Sequence, residues 1–479
     1  MMTRAFSLAL LLATTACSMT PNLALPPAPI PPAYPVIAGT GGPDAGEALP
    51  DWRTMFADPR LARLIEIALD SNRDLRIAAL NADAARAQLR VQRAQSLPGL
   101  QAEGGYTRQR QPAAVAGAGV GLTPGSGPSG FEFGQFTAQA ALASFEIDLF
   151  GRIRAMNAAA FHRWLASLQS RRAVRLAVIG TIVDVYLNER LAAEQLALAE
   201  ATLADWRNSL DLTKRLKEAG QASGVETAQA EGQVRQAQAD VAQRQREKMQ
   251  ATNALALAIG APLPGDLPPP IPLLDQPMRT ALAAGTPSML LTRRPDIAQA
   301  EEDLRAANAD IGAARAAFFP RLSLTGAFGF ASIALRGVFD NANRAWSFAP
   351  QVSAPIFRGG ELRGTLDLAK LRASVAVATY EKAIQTGFRE VADGLVARAT
   401  YATQRAELRA AAEQAQRRAE LAALSYRAGA TGRLELLDAQ RALYAAQQAV
   451  LIVRRDELAG AAALYRALGG AFVPPATNR

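Results

Sequence analysis

A long stretch of this chain occurs twice, so any admissible fold uses one unit two times. Residues 144–260 lie on residues 353–469 without a gap, at an offset of 209. Ser144 meets Ser353, Gly151 meets Gly360, Arg154 meets Arg363, Asp184 meets Asp393, Gly220 meets Gly429, Glu226 meets Glu435 and Gly260 meets Gly469. Ala- and Leu-rich helices match one another by chance, but the glycines carry more weight, because each falls where a helix has to stop. A second register, at an offset of 222, extends the repeat upstream: Asp74 meets Asp296, Pro98 meets Pro320, Leu100 meets Leu322 and Gly104 meets Gly326. The two offsets differ by 13, so the first copy holds that many extra residues between Gly104 and Ser144.

What the repeated unit contains follows from periodicity. Leu100, Ala102, Gly104 and Tyr106 alternate with Gln101, Glu103 and Thr107, and Phe136, Ala138, Ala140 and Leu142 alternate with Gln135, Thr137 and Gln139. Period two predicts a pair of strands, over residues 100–108 and 135–149. The second copy repeats the pair at residues 322–330 and 346–354, where Pro350 and Pro355 weaken the last strand by removing ladder donors. After each pair comes a proline-free stretch, residues 153–219 and 362–428, with apolar residues such as Leu176, Ile179, Val183 and Tyr186 at coiled-coil spacing. A helix of that length would measure roughly 100 Å. A glycine turn then leads into a shorter returning helix, residues 225–259 and 434–468. The helix before the strands, residues 74–97 in the first copy, supplies the missing length. Stacked end to end, the two short helices would match the long one and build a long, hollow helical arm with a strand pair at its far end.

The rest of the chain frames these copies. Residues 1–16 read as an export signal, with Arg4 before a short apolar run that cannot span a bilayer permanently. Cleavage before the lone Cys17 resembles processing of a bacterial lipoprotein, with Ser18 favouring outer-membrane sorting. Thr14 stands where such boxes usually carry Leu, so ordinary cleavage beside an incidental cysteine stays open. Residues 17–50 read as a Pro-rich tether, 51–260 as the first repeat, 261–294 as a proline-dense connector or belt, 295–470 as the second repeat and 471–479 as a disordered tail.

Composition excludes several functions. Aromatic residues are only 6%, and Ala, Leu, Arg, Gln and Glu predominate, as in long helices. The net charge of +9 comes from arginines interleaved with Glu and Asp, which reads as a solvated helix face and not as a nucleic-acid patch. With one cysteine and one histidine, an internal disulfide and a His/Cys metal cluster are excluded. A Ser-His-Asp triad would have to use His162, which sits in plain helix. No phosphate-binding glycine loop or HExxH is present, so neither enzyme, cofactor nor metal is expected. Four strands cannot close a membrane barrel alone, so several chains would have to contribute.

At this point the sequence resembles the TolC-type outer-membrane efflux proteins, in their OprM/NodT lipoprotein branch. The resemblance covers residues 51–470. It rests on Leu291-Thr-Arg-Arg-Pro-Asp-Ile297, on residues 311–326 (IGAARAAFFPRLSLTG), and on Tyr426-Arg-Ala-Gly429 followed by Leu436-Leu-Asp-Ala-Gln-Arg441. It implies a mainly α fold with a membrane β-barrel: three chains, four strands from each, completing a 12-stranded barrel on a long periplasmic α-helical coiled-coil tunnel. It implies a homotrimer in the outer membrane, working with a periplasmic adaptor and an inner-membrane RND-type transporter. By the same resemblance, Asp438 and Arg441 form the periplasmic gate, with Tyr426 and Arg427 as candidate partners. The turns at Ala219 and Gly220, and at Ala428, Gly429 and Gly432, are the adaptor-contact tips. Read as residues alone, Asp438 and Arg441 would be an exposed i,i+3 ion pair and the turns plain helix caps. The first copy has Gln229 and Gly232 where the second has Asp438 and Arg441, which confines the charged gate to the second copy. A periplasmic lipoprotein coiled-coil adaptor or scaffold is the competing reading, and it does not explain two copies of helix–strand–strand–helix–helix.

Overall fold

The computed structural model describes residues 18–34, 49–111, 131–283 and 285–471. The export signal, Cys17, most of the first hairpin connection and the tail from residue 472 lie outside them. The expected elements form within a few residues of their expected bounds. In the first copy they are α1 (Pro59–Ser71), α2 (Arg73–Ala94), β1 (Gly99–Gln111), β2 (Phe131–Ile147), α3 (Arg152–Glu218) and α4 (Gly224–Ile259). In the second they are α5 (Pro295–Ala316), β3 (Arg321–Ser332), β4 (Arg344–Ser353), α6 (Glu361–Arg427) and α7 (Arg433–Ala467). Both α3 and α6 run for 67 residues without a break.

The chain divides into two compact units. The first holds the sheet, of order β1-β2-β3-β4 and antiparallel throughout. The registers sort the side chains by polarity. Leu100, Tyr106, Phe136, Leu142, Phe328, Trp346 and Phe348 share one face, while Gln101, Glu103, Thr137, Gln139, Thr325 and Ser347 share the other. Leu100, Trp346 and Phe348 remain exposed on the apolar face, at 79%, 77% and 64%. Tyr106 packs its ring against Phe136 at 4.5 Å and covers Gly134, where a Cβ would meet its hydroxyl at 2.5 Å. Pro350 is accommodated inside β4 opposite Leu324, and Pro355 falls beyond the strand's end.

The extra residues of the first copy are divided between two places. Arg108 pairs with Gly134 and its counterpart Phe330 pairs with Arg344, so 25 residues (109–133, six of them still in the ladder) lie beyond that pair in the first copy and 13 (331–343) in the second. The connection therefore absorbs all of the 13 extra residues but one. The last is a β-bulge in β2, between Leu142 and Phe145. Without it, the alternation would put Phe145 and Ile147 on the polar face; the bulge returns both to the apolar one.

The N-terminal residues of this unit are not a free tether. Asn308 Nδ2 of α5 donates to the Pro21 carbonyl at 2.8 Å, and a Cβ on Gly312 would lie 2.8 Å from Thr20 Cα. His162 is held by Glu302, 2.7 Å from its Nδ1, as a packing histidine. Phe150 stacks on Phe319 at 4.7 Å, tying the end of β2 to the start of β3.

The second unit contains the joints that make two short helices equal one long one. Gly260 ends α4 in the left-handed region (φ +79°) and brings the chain so close to α2 that a Cβ would lie 2.8 Å from the Ser71 carbonyl oxygen. Asn72 Oδ1 accepts from the Leu75 amide at 3.0 Å, capping α2, while its Nδ2 donates at 2.7 Å to the Ala258 carbonyl at the end of α4. The second copy repeats the joint with different chemistry. Gly469 has φ +91° and would place a Cβ 2.7 Å from the Arg293 carbonyl oxygen. Arg294 Nη1 donates to the Ala467 carbonyl and to Glu390, both at 2.8 Å, and its other nitrogens grip Asp296 at 3.0 and 2.7 Å.

The connector runs across these helices as a strap held by its backbone. Arg60 donates to the Pro268 carbonyl at 2.8 Å, Arg454 to those of Leu273 and Gln276 at 3.4 and 3.3 Å, and Arg398 to that of Leu282 at 2.5 Å. Beneath it, buried Tyr186 donates to Asp58, the α1 N-cap, at 2.6 Å. A proline-rich segment lacks amide donors, so its carbonyls need side-chain partners, and arginines supply them.

The joint predicts a contrast. Gly469→Ala meets both an unfavourable φ and a carbonyl, whereas Gly429→Ala (φ +68°) has nothing within 4 Å of the new Cβ. We expect Gly429→Ala to cost about 1 kcal/mol and Gly469→Ala clearly more, about 2–3 kcal/mol. Thermal unfolding of both variants checks this; equal shifts would remove the joint from the account.

Candidate functional site

The two glycine turns are built alike. The Gln221 amide donates to the Leu216 carbonyl at 2.8 Å and the Gly220 amide to that of Lys217 at 2.9 Å. The Ala430 amide donates to Ser425 at 2.9 Å and the Gly429 amide to Tyr426 at 3.0 Å. This nested pair of bonds is the Schellman arrangement, and Gly220 (φ +73°) and Gly429 (φ +68°) supply its left-handed residue. Ala219, Gly220, Ala428, Gly429 and Gly432 are all exposed.

Past the turns the copies diverge. Ser223 caps α4 in a full capping box: its hydroxyl accepts from the Glu226 amide and the Glu226 carboxylate accepts from the Ser223 amide. The matching residue, Gly432, caps α7 with no side chain. The next position is Gly224 in the first copy and Arg433 in the second. Arg433 is buried and reaches across to α3, donating to the hydroxyls of Thr213 and Ser209. The start of α7 is thus held by bonds to a neighbouring helix, where the start of α4 has its own side-chain cap.

Apolar contacts place α7 between α6 on one side and α3 and α4 on the other. Leu436 and Ala439 pack on Ala419 and Ala422 of α6, with half-buried Tyr426 beside them. Leu437 packs on Leu203 and Trp206 of α3 and Val234 of α4. Asp438 and Arg441 follow this division and do not pair with each other. Asp438 Oδ2 accepts from Arg418 Nη2 of α6 at 2.7 Å, with both side chains over half exposed. Arg441 turns to the other side, beside Trp206, Asp240 and Tyr444. Tyr426 and Arg427 do not serve Asp438 within the chain; Arg427 Nε donates to the Ala423 carbonyl at 3.2 Å. Arg418 and Arg433 were not singled out from the sequence. Arg433 could have been, because it stands where the repeat has Gly224; Arg418 carries no such mark.

Further along α7 a polar layer joins three helices. Gln195 of α3 donates to Gln448 at 2.9 Å, Arg244 of α4 donates to Gln195 at 3.3 Å, and Tyr444 donates to Asp240. Burial, and then the Asp240 carboxylate, push the Tyr444 phenol up to about 12, so it remains a donor at neutral pH. Among the described residues, no group of three or more His, Cys, Asp or Glu could hold a metal ion, and no helix is long and apolar enough to cross a membrane.

A four-stranded sheet with an apolar outer face and two open edges, carried on uninterrupted coiled-coil helices, defines one subunit of a channel whose barrel is shared between chains. The profile of the outer membrane efflux protein family matches residues 64–261 and 286–470, and the chain belongs to that family. It is 42% identical to the probable efflux pump outer membrane protein SepC of Pseudomonas putida over 98% of each chain. It is 41% identical to the outer membrane protein OprJ of Pseudomonas aeruginosa over 97% of this chain and 95% of that one. The open-state MtrE outer membrane channel of Neisseria gonorrhoeae superposes with a TM-score of 0.84 at 35% identity, covering 95% of this chain and 98% of the other.

The first tip yields a local prediction. Removing the capping box by Ser223→Ala costs about 1 kcal/mol of helix-end stability. Amide exchange at residues 224–227 should then rise about fivefold while residues 433–436 stay unchanged. Hydrogen-exchange mass spectrometry reads both; no rise at 224–227 would mean the cap is not what holds α4.

Proposed function

We propose that this protein is the outer-membrane exit duct of a tripartite efflux pump. Three copies each contribute four strands to one barrel, and their helices continue it as a tunnel into the periplasm. An inner-membrane RND-type transporter feeds it through a periplasmic adaptor that grips the tips around Gly220 and Gly429. The observation that carries this reading is the sheet: one face apolar and exposed, the other polar, with unpaired edges at β1 and β4. Lipid satisfies the first face, water the second, and identical neighbours the edges. A periplasmic scaffold would leave the apolar face in water and the two edges open.

Closure of the entrance falls to α7. Asp438 follows Gly429 by nine residues, about 13 Å of helix rise, which puts it just inside the mouth. Three copies of the exposed Asp438–Arg418 pair, each worth only about 0–1 kcal/mol, together help to hold a gate that has to open under modest force, with Arg441 on the other side of the same helix. Asp438→Ala combined with Arg441→Ala should raise single-channel conductance in planar bilayers without lowering trimer yield, and Gln229→Ala should not. Absence of any channel from purified trimer would sink the duct reading; an unchanged double mutant would sink only the gate.

Cys17 is proposed as a lipid anchor. Cys17→Ser should lose radiolabelled palmitate yet remain in the membrane fraction, because the barrel inserts on its own. Release of the variant into the soluble periplasm would contradict a membrane barrel.

A further inference from the structure

A cavity of about 330 Å³ lies between α3, α4 and α7, one turn beyond Asp438. Its chemistry is uneven. Trp206, only 6% exposed, and Ala237 give it an apolar wall. Gln236 adds an amide. Its carboxylate, Asp240, is already engaged by the Tyr444 hydroxyl and by Arg244 Nε at 3.5 Å. Arg441 has no ion-pair partner among the described residues of the chain. The cavity thus pairs an apolar side, made by Ala199, Ala237 and the small exposed part of Trp206, with one free guanidinium and no free anion. Its volume is at the low end for small-molecule sites and suits a bicyclic ring system.

We propose that this cavity binds a small aromatic anion, one per chain, with its ring against Ala199, Ala237 and the exposed part of Trp206 and its acid group on Arg441. A guanidinium suits a carboxylate or sulfonate because its N–H groups fork to two oxygens. The apolar side favours an organic anion over small hydrated anions such as chloride, which cannot use it. A cation is rejected by Arg441, since Asp240 is taken. As a statement about the kind of compound exported this rests on the exit-duct reading; as a binding site it stands without it.

The test is calorimetric titration of the purified full-length protein in nonionic detergent with sodium 2-naphthalenesulfonate. Saturable binding at one per chain is expected, and 2-naphthylmethanol and 2-naphthylmethylammonium should bind at least about tenfold more weakly, the factor expected for one charge-assisted hydrogen bond. Ala237→Leu fills the cavity without touching a charge and should abolish saturable binding. Arg441→Gln should lower affinity for the sulfonate about tenfold and leave that for the alcohol unchanged. Trimer yield and thermal unfolding of each variant show that it is folded. Should Ala237→Leu not fold, the Arg441→Gln comparison decides alone. Binding that survives Ala237→Leu in a folded trimer overturns the site, and equal affinity for sulfonate and alcohol overturns the anion. Because binding is read without current, its failure and the failure of the duct reading are told apart.

Discussion

The architecture depends on how a helix is allowed to end. The last carbonyls of any α-helix lack intrahelical donors, and burying them without partners costs free energy. Here α4 and α7 each end against another helix. The end is made tolerable by a glycine that turns the chain and by one side chain that donates into the orphan carbonyls: Asn72 onto Ala258, and Arg294 onto Ala467. Those two donors stand at matching positions of the repeat. With the joints in place, a short helix and a shorter one continue each other, and the 67-residue helices have partners of comparable length. Without them each return helix would stop midway and leave half of a long apolar seam facing water. Arg294 can be buried at its joint because Asp296 and Glu390 neutralise it from two sides.

Duplication supplies two arms, and divergence at four positions past the glycine turn gives their return helices different partners. Ser223 became or began as Gly432, Gly224 answers Arg433, and Gln229 and Gly232 answer Asp438 and Arg441. The first set makes a helix start that is satisfied by itself. The second removes that local cap and gives the helix bonds to its neighbours instead, to α3 through Arg433 and to α6 through Asp438. The start of α7 therefore depends on the positions of α3 and α6, whereas the start of α4 carries its own cap besides its contact with α3 through Lys214 and Glu231.

Much of this was legible in the sequence, and for a physical reason. Period-two and coiled-coil patterns repeat over long stretches, so even the strand containing Pro350 could be placed. The glycine landmarks marked helix ends because a left-handed turn tolerates little else. What was not legible depends on contacts between elements remote in the chain. The bulge at Leu142–Phe145 hides inside an alternation that looks continuous until the register with β3 is known. Residues 17–50 read as a tether from their prolines, yet Gly312 opens a notch on α5 into which Thr20 fits. Spacing suggested that Asp438 and Arg441 pair along one helix, because i,i+3 neighbours usually can. The packing of α7 between α6 on one side and α3 and α4 on the other turns them apart.

That separation bears on the charge around α7. Within each chain Asp438 is paired with Arg418, whereas Arg441 has no ion-pair partner among the described residues and lines the cavity beside Trp206 and Asp240. The two charges therefore cannot offset each other along the helix, and they add nothing to its hold on α3. That hold comes from the Leu437 contact with Trp206 and Val234 and from the Arg433 bonds to Thr213 and Ser209. The polar layer at Gln195, Gln448 and Arg244 then limits how far along α7 the helix can part from α3 and α4.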